Sequence, residues 1–162
     1  MSRRLMFACL FLLVTVTADA QEKYRVYFGT YTGTESKGVY QCELNLKDGS
    51  LSAATLAGET ESPSFIAFHP SGTLLHAVNE KQATISALAI DAKTGTLTPL
   101  NSQPSQGGGP CHLVVDPTGK NVLAANYSGG SCVCLPIDAD GKLGAATSFQ
   151  QHVGPRTRGH SI

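Results

Sequence analysis

The sequence predicts an all-β protein with the architecture of a β-propeller, and two internal repetitions support that prediction. The segments 62–80 and 109–127 align without gaps at an offset of 47 residues (109 − 62). The turn glycines recur at a spacing of 46 residues, at Gly49, Gly95 and Gly141. A period of about 40 to 50 residues made of short strands and turns is typical of a propeller with one blade per repeat.

Each full repeat is predicted to contain four antiparallel strands, called a to d in chain order. A Pro-x-Gly turn follows strand a, where the missing N–H of proline interrupts no strand pairing. A short polar link joins b to c, and a turn with one of the recurrent glycines joins c to d. The predicted segments are 65–68 and 112–115 for strand a, 74–78 and 122–125 for b, 39–44, 85–90 and 132–137 for c, and 97–103 for d.

The order of these segments gives just under three blades. The first blade begins at a strand b, Tyr24 to Phe28, and the chain stops near the start of a further strand a at Ile162. Propellers typically close with about four to eight blades. We therefore expect an N-terminal fragment of a larger propeller, whose open blade edges and apolar faces would favour association.

The first twenty residues are predicted to be a signal peptide. Arg3 and Arg4 precede an apolar stretch, Leu5 to Thr17, and an A-x-A cleavage site follows at 18–20. The apolar stretch is too short to span a bilayer as a helix, although an uncleaved anchor is the alternative. The predicted domains are a signal peptide, 1–20, and a partial β-propeller domain, 21–162. The predicted signal peptide implies export of the protein to the periplasm or the exterior. The location would be cytoplasmic if this segment is not a signal peptide.

Composition limits the classes of partner. Without Arg3, Arg4 and Asp19 the chain carries 10 basic (12 − 2) and 11 acidic (12 − 1) side chains, which gives no reason to expect nucleic acid or a membrane surface. His and Cys lie at spacings unlike those of zinc sites, so no metal and no cofactor are predicted. The four cysteines after the leader are interpreted as small buried residues, at Cys42, Cys111, Cys132 and Cys134.

Candidate site residues fall in the links that share one end of the blades. Because neighbouring strands are antiparallel, the b–c and d–a links lie together at the end opposite the a–b and c–d turns. Loops at one end of a rigid scaffold commonly carry function. Four candidates for substrate binding lie there, His112, Glu80, Asn126 and Tyr127, each with a structural alternative as a hydrogen-bonded strand end or a polar hairpin tip. The glycines 107–109 are interpreted as a flexible link rather than a phosphate loop.

Arg156 and His160 form the most suggestive pair for catalysis. Both lie in the link before the last predicted strand a. An Arg can hold a carboxylate or phosphate with two parallel hydrogen bonds, and a nearby His can take a proton from water near neutral pH. Together they could hydrolyse a strained ester. The alternative is a basic loop at a frayed chain end.

Five ordered motifs resemble the lactonase family of seven-bladed propellers, which includes the propeller type of 6-phosphogluconolactonase and the carboxymuconate cyclase. The resemblance covers Tyr24 to about Asp140. The family also implies an Arg followed by a Pro-His-x-His stretch after the third blade, which Arg156 and His160 match in part. The motifs are GTYT at 29–32, GVY at 38–40, AVNE at 77–80, GPCH at 109–112 and ANYSGG at 125–130.

The resemblance implies metal-free hydrolysis of 6-phosphogluconolactone to 6-phosphogluconate. His160 would be the base or water-positioning group, and Arg156 would bind phosphate or stabilise the developing oxyanion. His112, Glu80, Asn126 and Tyr127 would line the sugar site. The predicted export points toward a different sugar or aromatic lactone. A second hypothesis is an exported, non-catalytic propeller that binds a protein or a glycan.

Overall fold

The computed structural model describes residues 22–154, in which eleven strands and one short 3-10 turn (Glu80–Gln82) are present. The strands are β1 Lys23–Phe28, β2 Gly38–Asn45, β3 Thr55–Glu59, β4 Phe65–Phe68, β5 Leu74–Asn79, β6 Thr84–Ile90, β7 Leu97–Pro104, β8 Pro110–Val115, β9 Asn121–Asn126, β10 Ser131–Pro136 and β11 Ser148–Gln151. Each predicted strand corresponds to one of these and lies within it, except that the predicted strand at 132–137 runs one residue past the end of β10. The all-β prediction is confirmed.

The strands form three antiparallel sheets that correspond to the predicted blades. Blade one is β1-β2-β3, which are strands b, c and d without an a. Blade two is β4-β5-β6-β7, and blade three is β8-β9-β10-β11 in the same spatial order. Each sheet is a meander, because every strand pairs with its neighbour in sequence. The predicted count of just under three blades is therefore confirmed.

The hydrophobic core is divided between the two interfaces of the blades. Alternate residues of β5 point to opposite faces of its sheet, as strand geometry requires. Leu75 and Ala77 join the core between blades one and two, together with Val39 of β2. Val78 joins the core between blades two and three, together with Leu113 of β8. Each blade therefore depends on its neighbours to cover its apolar faces.

The c–d turns also tie adjacent blades together. Gly95 has a φ of +76°, a left-handed conformation that favours glycine. The turn around it is closed by Asp91, whose Oδ1 accepts from the backbone N–H of Thr94 at 2.7 Å. The Tyr27 hydroxyl of blade one donates to the Gly95 carbonyl at 2.7 Å. The c–d turn of blade two therefore holds blade one in place.

Two blade faces are not covered by any described residue. On blade three, Val114 and Leu123 are cross-strand neighbours that point away from blade two and are 46% and 44% exposed. On blade one, Tyr24 and Phe28 point away from blade two and are 53% and 39% exposed. Exposed apolar area of this kind favours association.

The cysteine prediction is correct for only part of the set. All four described cysteines are free thiols, and Cys42 is buried. Cys132 is exposed, and Cys111 and Cys134 are partly exposed, so the expectation that they are buried is wrong. Cys132 and Cys134 lie on the uncovered face of blade three, opposite Ala125 and Leu123 of β9. Among residues 22–154, no helix is long and apolar enough to cross a bilayer.

Candidate functional site

The b–c and d–a links gather at one end of the three blades, which we call the rim. Its described segments are the links 29–37, 60–64, 80–83, 105–109 and 127–130. Hydrogen bonds join these links across the blades. The Thr32 hydroxyl of blade one accepts from the Ser62 backbone N–H at 3.1 Å, and the Lys81 ammonium donates to the Thr32 carbonyl at 3.4 Å. The rim is therefore a connected polar surface.

Glu80 lies in this surface at the end of β5. The Tyr31 hydroxyl, from blade one, donates to Glu80 Oε2 at 2.8 Å. Ser64, just before β4, has a buried Oγ that makes no hydrogen bond of good geometry. The Ser64 and Tyr31 hydroxyls nevertheless both lower the pKa of the Glu80 carboxyl, and the effect of Ser64 is the larger. Two neutral hydroxyls thus favour the ionised form of Glu80.

The same contact acts on Tyr31. Its hydrogen bond to Glu80 raises the pKa of the phenol, and partial burial raises it further. The Cys111 thiol at the start of β8 also acts on this phenol electrostatically. Side chains from blade one (Tyr31) and blade two (Ser64 and Glu80) therefore meet at one place on the rim. We call Tyr31, Ser64 and Glu80 the rim cluster.

His112 follows Cys111 on β8, the strand a of blade three. Its ring lies against the Phe65 ring of β4, with centroids 4.4 Å apart and planes tilted by 47°. The side chain is exposed, and its ring nitrogens make no hydrogen bond with the described residues. His112 therefore presents free nitrogen atoms on a fixed aromatic support, next to the rim cluster.

Asn126 has a different setting, because it is buried at the end of β9. Its amide nitrogen donates to the Ser105 carbonyl at 2.9 Å and to Ser131 Oγ at 3.1 Å. Its repeat equivalent, Asn79, donates to the Glu61 carbonyl at 2.7 Å in the same way. Both side chains anchor the preceding d–a link. In Asn126 the Oδ1 atom is buried and has no partner in the described structure.

Tyr127 lies at the opposite extreme, with 84% of its side chain exposed at the tip of the b–c link. The adjacent glycines 107–109 are not a slack segment. A Cβ on Gly107 would lie 2.5 Å from Ser131 Oγ, and Gly109 has a φ of +62°. These glycines let the d–a link pack closely on blade three, so the interpretation as a flexible link is replaced by one of close packing.

The predicted catalytic pair, Arg156 and His160, lies outside the described residues, and their roles stay predictions. Within residues 22–154, no group of three or more His, Cys, Asp and Glu side chains is arranged to hold a metal ion. Tyr31 was noted from the sequence only as part of the GTYT motif at 29–32 and was given no role, and Ser64 was missed. The signal was available for Tyr31, since it falls in a b–c link as Glu80 and Tyr127 do.

The fold and the rim define part of a β-propeller whose polar side chains converge at one end of successive blades. A family model described as the seven-bladed β-propeller lactonases matches residues 25–161, and the chain belongs to that family. The match spans nearly all of the described residues. The ordered motifs in the b–c links and at the starts of the a strands thus reflect true family membership.

Individual relatives agree with this assignment. The chain is 37% identical over 134 residues to the 6-phosphogluconolactonase of Bacillus subtilis strain 168, covering 82% of this chain and 38% of that protein. A solved structure of a candidate 6-phosphogluconolactonase from Bacteroides fragilis superposes with a TM-score of 0.79 at 35% identity, covering 88% of this chain and 40% of that one.

A periplasmic gluconolactonase from Pseudomonas aeruginosa is also similar. Its structure superposes with a TM-score of 0.75 at 26% identity and covers 80% of this chain and 39% of that one. The chain therefore spans about two fifths of the length of the relatives it matches. Their names describe whole proteins, of which this chain matches a part.

Proposed function

We propose that the intact protein carrying this chain hydrolyses a sugar lactone of the 6-phosphogluconolactone type. The observation that carries the proposal is the convergence of polar side chains from three successive blades at the rim. Membership of the lactonase family supports it. So does the likeness to proteins named 6-phosphogluconolactonase and gluconolactonase. The enzyme would be a carboxylic ester hydrolase acting in carbohydrate metabolism, without a cofactor.

In the proposed reaction, His160 takes a proton from a water molecule that attacks the lactone carbonyl. Arg156 stabilises the oxyanion that develops, or holds a substrate phosphate. The carbonyl–oxygen bond of the ring then breaks, and the released ring oxygen takes a proton to give the open hydroxy acid. Glu80, His112 and Tyr127 line the sugar site, and Asn126 fixes the link beneath it through Ser105.

We further propose that the protein is exported. The signal peptide predicted at 1–20 supports export, and one structural relative is named as periplasmic. An exported enzyme meets lactones outside the cytoplasm, which favours an unphosphorylated sugar lactone as its substrate. We expect mass spectrometry of the secreted or periplasmic protein to find a mature N-terminus at Gln21. A retained Met1 would contradict this proposal.

The proposed reaction is tested with the intact protein on 6-phosphogluconolactone and glucono-δ-lactone. Loss of a general base typically costs about 10²- to 10⁴-fold in rate, so we expect His160→Ala to lose at least about 100-fold in kcat. His152→Ala is the matched control, since His152 is an exposed histidine with no assigned role. Unchanged activity in His160→Ala would exclude His160 from the mechanism. Failure to open any of a panel of lactones would favour a non-catalytic propeller that binds a protein or a glycan.

A further inference from the structure

The rim cluster contains one acid and two hydroxyls. Glu80 uses Oε2 to accept from the Tyr31 hydroxyl, and its Oε1 accepts no hydrogen bond of good geometry within the described residues. An ionised carboxylate has two oxygens that together accept about four hydrogen bonds. Glu80 therefore retains most of its acceptor capacity at a place where blades one and two meet.

The negative charge of Glu80 has no cationic partner among the described residues. The two ion pairs found there, Lys23–Glu43 and Lys47–Glu22, join other parts of blade one. Lys81 lies next to Glu80 in sequence, but its ammonium donates to the Thr32 carbonyl. A carboxylate supported only by neutral hydroxyls attracts further hydrogen-bond donors and repels anions.

These two features identify the part of a ligand that this place fits. Hydroxyl groups of a sugar chain are neutral donors, and two neighbouring hydroxyls can donate to the two oxygens of one carboxylate. A phosphate or carboxylate group would meet a like charge. An aromatic lactone without hydroxyls would offer no donor at all.

We propose that Glu80 is a specificity-determining residue that binds the hydroxyl groups of a polyhydroxylated lactone. Tyr31 is its positioning residue, because the 2.8 Å hydrogen bond fixes the carboxylate against the rim. The inference rests on the proposed function and adds to it the part of the substrate that the first two blades recognise. Any anionic group of the substrate lies away from Glu80, because the carboxylate would repel it.

The test measures binding rather than turnover, using two lactams that resist hydrolysis. The probes are D-glucono-δ-lactam, which carries the sugar hydroxyls, and δ-valerolactam, which has the same ring without them. Isothermal titration calorimetry with the intact protein gives the dissociation constant of each. We expect the hydroxylated lactam to bind at least tenfold more tightly to the wild type.

Three variants locate the cause. Glu80→Gln keeps the shape of the side chain and removes its charge, and we expect it to weaken gluconolactam binding by about 10- to 100-fold, since hydrogen bonds to charged groups are the stronger kind. Tyr31→Phe is expected to weaken gluconolactam binding by about tenfold. Valerolactam binding stays unchanged in both. Glu61→Gln is the matched control, an exposed glutamate in the d–a link that leads to Ser64.

Each outcome decides the proposal. An equal loss for both lactams would show that Glu80 acts through structure alone, and no loss would show that Glu80 does not contact the sugar. Failure of the wild type to bind gluconolactam also overturns the inference. If gluconolactam binds with the expected dependence on Glu80 while no lactone is hydrolysed, the proposed reaction fails and the inference survives.

Discussion

Acid is expected to destabilise this protein through one buried histidine, His76 of β5. The side chain has no exposed surface, and neither ring nitrogen has a hydrogen-bond partner in the described structure. It lies on the same face of the strand as Val78, so it sits between blades two and three. Its ring centroid is 6.4 Å from that of His69, the nearest titratable ring.

Burial, and to a lesser extent electrostatic repulsion by His69, lowers the pKa of His76 from 6.5 to about 4. The unfolded chain therefore binds the proton more readily than the folded one between these values. The contribution of neutral His76 to stability is fully present above pH 6.5 and is lost as the pH falls toward 4. Between pH 7.5 and pH 5, the two pKa values of His76 correspond to a loss of about 2 kcal/mol in the free energy of unfolding.

The assay is urea denaturation at pH 7.5 and at pH 5, for the wild type and for His76→Leu. Leucine is the residue that the next repeat carries at this position, Leu123 (123 − 76 = 47). The variant cannot titrate at position 76, so we expect its free energy of unfolding to fall by about 2 kcal/mol less than that of the wild type between pH 7.5 and pH 5. The contributions of the other titrating groups to the free energy of unfolding cancel in that difference. An equal loss of unfolding free energy in both proteins would refute the reasoning.

Two further predictions concern packing. Gly107→Ala should lower the free energy of unfolding by about 1 to 3 kcal/mol, because the new methyl group would overlap Ser131 Oγ and the Asn126 amide. The control is Gly33→Ala, whose new methyl group would meet nothing within 4 Å. Equal denaturation midpoints for the two variants would contradict the close packing of the 105–109 link. The 162-residue chain should sediment as an associated species because two apolar blade faces are uncovered, and Leu123→Lys should shift it toward the monomer while Thr98→Lys should not. A compact monomer at all concentrations would remove these faces as a cause of association.

Strand positions could be predicted from the sequence because they depend on local signals. Alternating side chains, the Pro-x-Gly turns and the recurrent glycines each act over a few residues, and the 47-residue offset places equivalent residues at equivalent positions in successive blades. For this reason Phe65–Phe68 was predicted with the bounds that β4 has. The same argument placed Glu80, Asn126 and Tyr127 at one end of the blades.

Equivalence between repeats does not reveal what covers a residue. Cys132 is the repeat equivalent of Ile85 (132 − 85 = 47), yet Ile85 is buried and Cys132 is exposed. The difference arises because blade three covers the face that holds Ile85, whereas no described residue covers the corresponding face of blade three. Burial in a propeller is thus decided between blades, at a range that the sequence pattern does not reach.

The sequence by itself determined the repeat, the number of blades and the end at which polar residues gather, since these follow from local periodicity and antiparallel order. Only the tertiary structure decided which of those residues meet. It joined Tyr31 to Glu80 across 49 positions of the chain and set His112 against Phe65. It also showed that Asn126 is buried and donates to the Ser105 carbonyl. These outcomes depend on how one blade packs on the next, which is a property of the assembled sheets and not of any single repeat.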